Sequence, residues 1–239
     1  MRLDEKLDII RKNNTDVYKA GYEPNKQYDV FWDAFQNNGN RVVYESSYSY
    51  GWNDVIFNPK YLMQPTRAKS MFQSSDIETS AYTDKLDFSK CTNMGSCFKS
   101  SKLLKKLKKI DARAVTSPGG MEQMFLECYH LISIDEFYPS TKVNFMNTFL
   151  RCDSLREIRF KSVVQTNGLD MSSCKYLSKE SITSVINALH RYVNGLTVTF
   201  SKEAVQNAFG IPDITDENSW TYEYKLLRNS KPNWSIGYI

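Results

Sequence analysis

Phe145-Met-Asn147-Thr-Phe149-Leu-Arg-Cys152-Asp-Ser-Leu155-Arg-Glu-Ile158-Arg-Phe160 decides the fold, because its first half has three earlier counterparts. These are Ala68-Lys-Ser-Met71-Phe72-Gln-Ser-Ser75, Met94-Gly-Ser-Cys97-Phe98-Lys-Ser-Ser101 and Met121-Glu-Gln-Met124-Phe125-Leu-Glu-Cys128. The phenylalanines lie 26, 27 and 24 residues apart. Downstream of the last three copies, Leu104 and Leu107, Leu131 and Ile134, and Leu155 and Ile158 share one register, six and nine residues after the Phe. A fixed period of this length marks stacked supersecondary units, none of which buries its apolar face alone. Stacking places Phe72, Phe98, Phe125 and Phe149 in one internal ladder and Ser75, Ser101, Cys128 and Cys152 in another. A looser echo joins Leu86-Asp-Phe-Ser-Lys-Cys91 to Leu169-Asp-Met-Ser-Ser-Cys174.

This period and the L-x-x-L-x-L spacing from Leu155 to Phe160 predict an α/β leucine-rich-repeat solenoid over residues 68–177. Its ends need atypical units, since an open end exposes a core layer. Residues 1–40 read as an N-terminal helical segment, with apolar residues at helical spacing from Leu3 to Ala20 and a second helix over 26–37. Residues 41–67 read as a Tyr/Ser-rich β connection. Residues 178–239 read as a capping unit of helix, strand and helix. Ser178 caps a helix predicted to run to Val193, Leu196–Phe200 forms a strand, and Ser201 caps a shorter helix ending at Gly210. The alternating stretch Trp234-Ser-Ile236-Gly-Tyr238 reads as an edge strand.

Composition narrows the function. The 239 residues carry 31 Lys and Arg against 27 Asp and Glu, and this net charge of +4 lacks the concentrated excess of a nucleic-acid binder. No apolar stretch reaches the roughly 18 residues of a membrane span, so no membrane insertion is expected. Met1 to Lys12 lacks the apolar core and cleavage site of a secretory signal, which favours cytoplasmic synthesis. Five cysteines, an odd and sparse set, read as reduced structural thiols rather than a disulfide or metal framework. No cofactor motif is present. The histidines are two, and a Cys128–His130 nucleophile pair would lack an orienting Asn or Asp. His190, near the end of the helix predicted from Ser178, reads as a partner of the helix dipole.

Three surface features remain. Lys102, Lys105, Lys106, Lys108 and Lys109, interleaved with leucines, read as a solvated face of the repeat or as a dock for an anionic surface. Tyr44, Tyr48, Tyr50 and Trp52 form a Tyr/Ser/Gly/Trp strip of paratope-like composition, able to stack on sugars or to pack as a hairpin against the first repeat. Phe31, Trp32 and Phe35 make an aromatic face suited to attaching the chain to an assembly.

Asn147-Thr-Phe149-Leu-Arg-Cys152-Asp-Ser-Leu155-Arg-Glu-Ile158 resembles the BspA-like (Treponema-type) leucine-rich repeats of bacterial surface proteins. Tyr28–Asn40, Phe57-Asn-Pro59-Lys, Leu86–Cys91 and the pairing of Ser178–Ile182 with Leu196–Ser201 resemble small repeat proteins carried by gut-bacterial phages and prophages. The resemblance implies a non-enzymatic phage virion protein of the tail, the baseplate or the particle surface. Its partners would be a host cell-surface glycan or protein, or other virion proteins. A bacterial surface adhesin, located at the cell surface, and a glycan- or protein-processing enzyme are the alternatives. No catalytic residue comes with the resemblance.

Overall fold

The computed structural model describes residues 67–74 and 87–239. The predicted helices of residues 1–40 and all of the predicted β connection of 41–67 except Arg67 lie outside the described residues.

The repeated motif builds neither helix nor strand. In each copy the residues two before and two after the Phe take a left-handed backbone. The pairs are Ser70 and Ser74, Ser96 and Ser100, Gln123 and Glu127, and Asn147 and Arg151, with φ between 55° and 63°. Such residues occupy the third place of four-residue turns, as in the bonds from Met71 N to Ala68 O, Cys97 N to Met94 O and Ser101 N to Phe98 O. The alternate N–H groups reach the next copy instead. Ser70 donates to Gly95 O (2.9 Å), Phe72 to Cys97 O (2.7 Å), Phe98 to Met124 O (2.8 Å) and Phe125 to Thr148 O (3.0 Å). Left-handed backbone costs a non-glycine residue on the order of 1 kcal/mol. The bonds between copies and the burial of the Phe between each pair offset that cost.

After each of these turn ribbons the chain extends. Strands β1 (Lys106–Asp111), β2 (Ser133–Tyr138) and β3 (Glu157–Phe160) form a parallel sheet in that order. Leu107 faces Ile134 and Ile134 faces Ile158, so the register repeats the spacing of the phenylalanines. Leu104, Leu107, Leu131, Ile134, Leu155 and Ile158 are all buried. The four phenylalanines stack at ring separations of 5.3, 5.6 and 5.6 Å, and Phe137 closes edge-on against Phe125 and Phe149.

The stack then stops, which corrects the predicted leucine-rich-repeat solenoid. Among the described residues no fourth strand pairs with β3; they form two separate three-stranded parallel sheets and a few short helices. Helix α1 (Lys179–Ala188), capped by Ser178, lies where the next strand would be. Its Ser181 hydroxyl accepts from Ile158 N (2.9 Å) and its Ser184 hydroxyl from Phe160 N (2.9 Å). Side-chain oxygens thus take the N–H groups of β3 that a neighbouring strand would have used, and the sheet ends there.

The second sheet has the order β4 (Leu169–Met171), β5 (Leu196–Phe200), β6 (Trp234–Tyr238), all parallel. The helix-strand-helix run is therefore part of a larger unit rather than a lid on a repeat array. Helix α2 (Lys202–Phe209) starts at the Ser201 cap and ends at left-handed Gly210. Helix α3 (Tyr222–Asn229), which the sequence reading passed over, leads into β6. Helix α1 is shorter than expected. Leu189 turns to extended backbone and bridges Val164, so Val193 and His190 fall outside the helix and His190 is no dipole partner within it. Lys231 Nζ caps the end by donating to Asn187 O (2.9 Å) and Leu189 O (2.6 Å), and Trp234 Nε1 donates to His190 O (2.9 Å).

The irregular stretch Ser117-Pro-Gly-Gly120 is accommodated by close approach. A Cβ on Gly120 would stand 2.4 Å from Val115 Cγ1 and 2.8 Å from Ser117 O. Gly120→Ala is expected to lower unfolding free energy by about 1–3 kcal/mol, the usual cost of overpacking, in a urea titration. An unchanged midpoint would show that this turn yields.

Candidate binding surface

Each of the five lysines singled out in the sequence is exposed, while Leu104 and Leu107 between them are buried. Lys102 sits in the turn before β1, Lys105 just outside it, and Lys106, Lys108 and Lys109 on it. The adjacent strand answers them with acid. Lys106 Nζ lies 3.1 Å from Asp135, and Lys109 is in register with Glu136. Exposed pairs of this kind add on the order of 0–1 kcal/mol, yet they fix the outer face as a mixed-charge surface rather than a uniformly basic one.

At the C-terminal end of β1 the charges become ordered. Arg113 grips Asp111 with two bonds (2.9 and 2.6 Å) and stands 4.7 Å over the Tyr138 ring, which Lys109 approaches at 5.2 Å. Burial alone would raise the Asp111 carboxyl, but the hydrogen bonds and charge of Arg113, with Lys109 beyond, hold it below its usual value. This carboxylate is a fully engaged structural anion.

Ser101 and the thiols form a ladder, whose expected first member, Ser75, lies outside the described residues. Ser101 Oγ donates to Phe72 O (2.6 Å), Cys128 Sγ to Phe98 O (3.0 Å) and Cys152 Sγ to Phe125 O (3.1 Å), and Cys174 Sγ stands 4.0 Å from Phe149 O. Cys174 is thus the next rung, which its echo of Cys91 had hidden. All five cysteines are buried and free. Burial pushes the Cys91 and Cys128 thiols up to about 12, and those of Cys97, Cys152 and Cys174 well above 9. Cys128 is enclosed while His130 is exposed, so the structure does not bring them together as a nucleophile pair. Among the described residues no cluster of three or more His, Cys, Asp or Glu is placed to hold a metal ion.

Raised thiol values set an alkaline limit. The folded protein keeps its thiols protonated where the unfolded chain loses them. Their contribution is therefore fully present below about pH 9 and declines as pH rises toward 12. The melting temperature is expected to fall steadily over that window and to be indifferent to reducing agent at pH 7. A thiol-directed reagent should report five reactive groups only after unfolding. A melting temperature flat from pH 8 to 11, or a large drop with reductant, would contradict the ladder.

The remaining candidates, Tyr44, Tyr48, Tyr50, Trp52 and the attachment face Phe31, Trp32 and Phe35, lie outside the described residues. One surface feature escaped the sequence reading. A groove runs between the turn carrying Lys175 and Tyr176 and the flank of α2. Its only sequence signal was a tyrosine set between Cys174 and Leu177, both core residues, so that its ring is directed outward.

Among the described residues no helix is long and apolar enough to cross a membrane. No protein-family model matches the chain, and comparison with curated proteins and with solved structures finds no significant match.

Proposed function

We propose that this chain is a non-enzymatic recognition protein of a phage virion, carried on the tail, the baseplate or the particle surface. It binds the host surface or a neighbouring virion protein through the face its repeated turns and first sheet build. The observation that carries the binding half is the register of that face. Leu107, Ile134 and Ile158 point inward in line, which leaves Lys106, Lys108, Lys109, Asp135, Glu136 and Arg159 in outward-facing rows held by the inter-strand bonds. A rigid array of charged and polar side chains, positioned with little entropy left to lose, is what surface recognition requires. The virion half rests on the resemblance of Tyr28–Asn40, Phe57–Lys60 and the other quoted segments to phage-borne repeat proteins.

The test is to purify particles released from a bacterium carrying the gene and to locate the chain by mass spectrometry and immunogold labelling. The expected result is a fixed copy number per particle and binding of the purified chain to host cells. Contact through the lysine rows should weaken steeply between 0.05 and 0.5 M salt, because exposed charges are screened over about 8 Å at physiological ionic strength. Recovery in the cell envelope instead of the particle would favour the adhesin, and release of soluble sugars or peptides would favour the enzyme.

A further inference from the structure

Two open clefts, of about 460 and 340 Å³, adjoin along a groove beside α2, with Lys175 and Asn207 lining both. Both fall within the roughly 300–1,000 Å³ of ordinary ligand sites. Three cations line it, Arg156, Lys175 and Lys202, against a single acid, Glu203. Tyr176, 57% exposed, lines the smaller cleft, with the Arg156 guanidinium 5.6 Å over its ring. Asn207 presents an exposed amide beside it, and the small side chains of Ala204 and Ala208 keep the floor open.

The walls are fixed before any ligand arrives. Arg156 belongs to the end of the first sheet, where its carbonyl accepts from Ser178 N (2.9 Å) and from the Ser181 hydroxyl (3.0 Å). Buried Cys174 and Leu177 pin the turn that carries Lys175 and Tyr176. The Ser201 cap anchors α2, with the hydroxyl accepting from Ala204 N. The groove therefore brings together four segments of the chain: Arg156, the turn from Ser172 to Leu177, the stretch from Ser201 along α2, and Ile239.

We propose that this groove binds an acidic polysaccharide whose sugar units carry carboxylates. An exposed aromatic face suits the apolar side of a pyranose ring, and an amide suits its hydroxyls. A guanidinium fork matches a planar carboxylate with two parallel bonds. Spaced single cations match a polymer with one negative charge per unit. Leu177, Ile239 and the alanines make much of the exposed lining apolar; the hydrophobic faces of sugar rings can cover that surface while their hydroxyls and carboxylates meet the polar groups around it. The site stands independently of the virion reading, since it is argued from the groove alone.

Calorimetry of the 239-residue chain with tetragalacturonate, its fully methyl-esterified counterpart and hexaglutamate tests it. Tetragalacturonate is expected to bind at least tenfold more tightly than either of the others. Tyr176→Ala and Arg156→Ala are each expected to weaken it about tenfold, with melting temperature unchanged because both side chains are exposed. Lys142→Ala, at an exposed lysine outside the groove, should leave it as it was. Equal binding of the ester would overturn the role of the carboxylates, equal or tighter binding of hexaglutamate would overturn the sugar, and no binding at millimolar concentration would overturn the site. Binding of tetragalacturonate by a chain absent from particles and inert toward cells would sustain this inference while removing the virion reading.

Discussion

Phe125→Ala is expected to lower the free energy of unfolding by about 3–5 kcal/mol, the range for losing a large buried aromatic. Phe125 is the third ring of the ladder. It is fully buried, stacked 5.6 Å from both Phe98 and Phe149, and met edge-on by Phe137. Truncation removes partners on three sides, and the neighbouring turns cannot collapse into the gap, because bonds from Phe98 N to Met124 O and Phe125 N to Thr148 O hold their separation. Phe125→Leu should recover much of the loss. Tyr192→Ala, at a ring 76% exposed, should change stability by less than about 0.5 kcal/mol. Denaturant titrations of the three variants check the order, and a Phe125→Ala protein as stable as the parent would mean that the ladder is not the core.

The second large effect is expected where the first sheet ends. Ser181→Ala combined with Ser184→Ala should cost about 3 kcal/mol, because it strands N–H groups of β3 that no strand can reach. Most of the loss is expected from Ser181, which is fully buried, accepts from Ile158 N and donates to Arg156 O. Ser184 is partly exposed, so water can replace its hydroxyl and the single change should be mild. Amide exchange should show loss of protection at Ile158 and Phe160 ahead of Ile134 and Phe137. Unaltered protection at Ile158 would mean that the serines are incidental to where the sheet stops.

The two experiments separate what was legible in the chain from what was not. The ladder follows from repetition. Once Phe recurs every 24 to 27 residues with leucines in a common register, any fold that buries them must stack them. The same holds for Ser101, Cys128 and Cys152, whose exchange of hydroxyl for thiol makes sense because each donates to the carbonyl of the Phe one turn back. Caps were equally readable, since Ser178 and Ser201 each precede an apolar helical stripe, and Gly210 supplies the left-handed stop.

Repetition says nothing of how many strands will pair. The expectation of one leucine-rich solenoid failed because the sheet is ended by two serine hydroxyls on α1, and nothing in Lys179-Glu-Ser181-Ile-Thr-Ser184 distinguishes a helix that covers a sheet from one that merely follows it. The turn ribbons were hidden for a different reason. Their left-handed positions are held by Ser, Gln, Glu, Asn and Arg rather than Gly, so local preference argues against them and only the bonds between copies make them affordable. Helix α1 stops five residues before its apolar stripe does, because Leu189 and His190 pair with Val164.

By itself, then, the amino-acid order determined the periodic core, the caps and the structural role of the laddered thiols, all of which depend on short-range pattern and on which side chains must avoid water. The tertiary structure alone decided where the first sheet ends, that a second one follows, and that Arg156, Tyr176 and Asn207 share a groove. Those outcomes depend on which distant backbone groups satisfy one another, and hydrogen bonds of that kind leave no periodic trace in the chain that makes them.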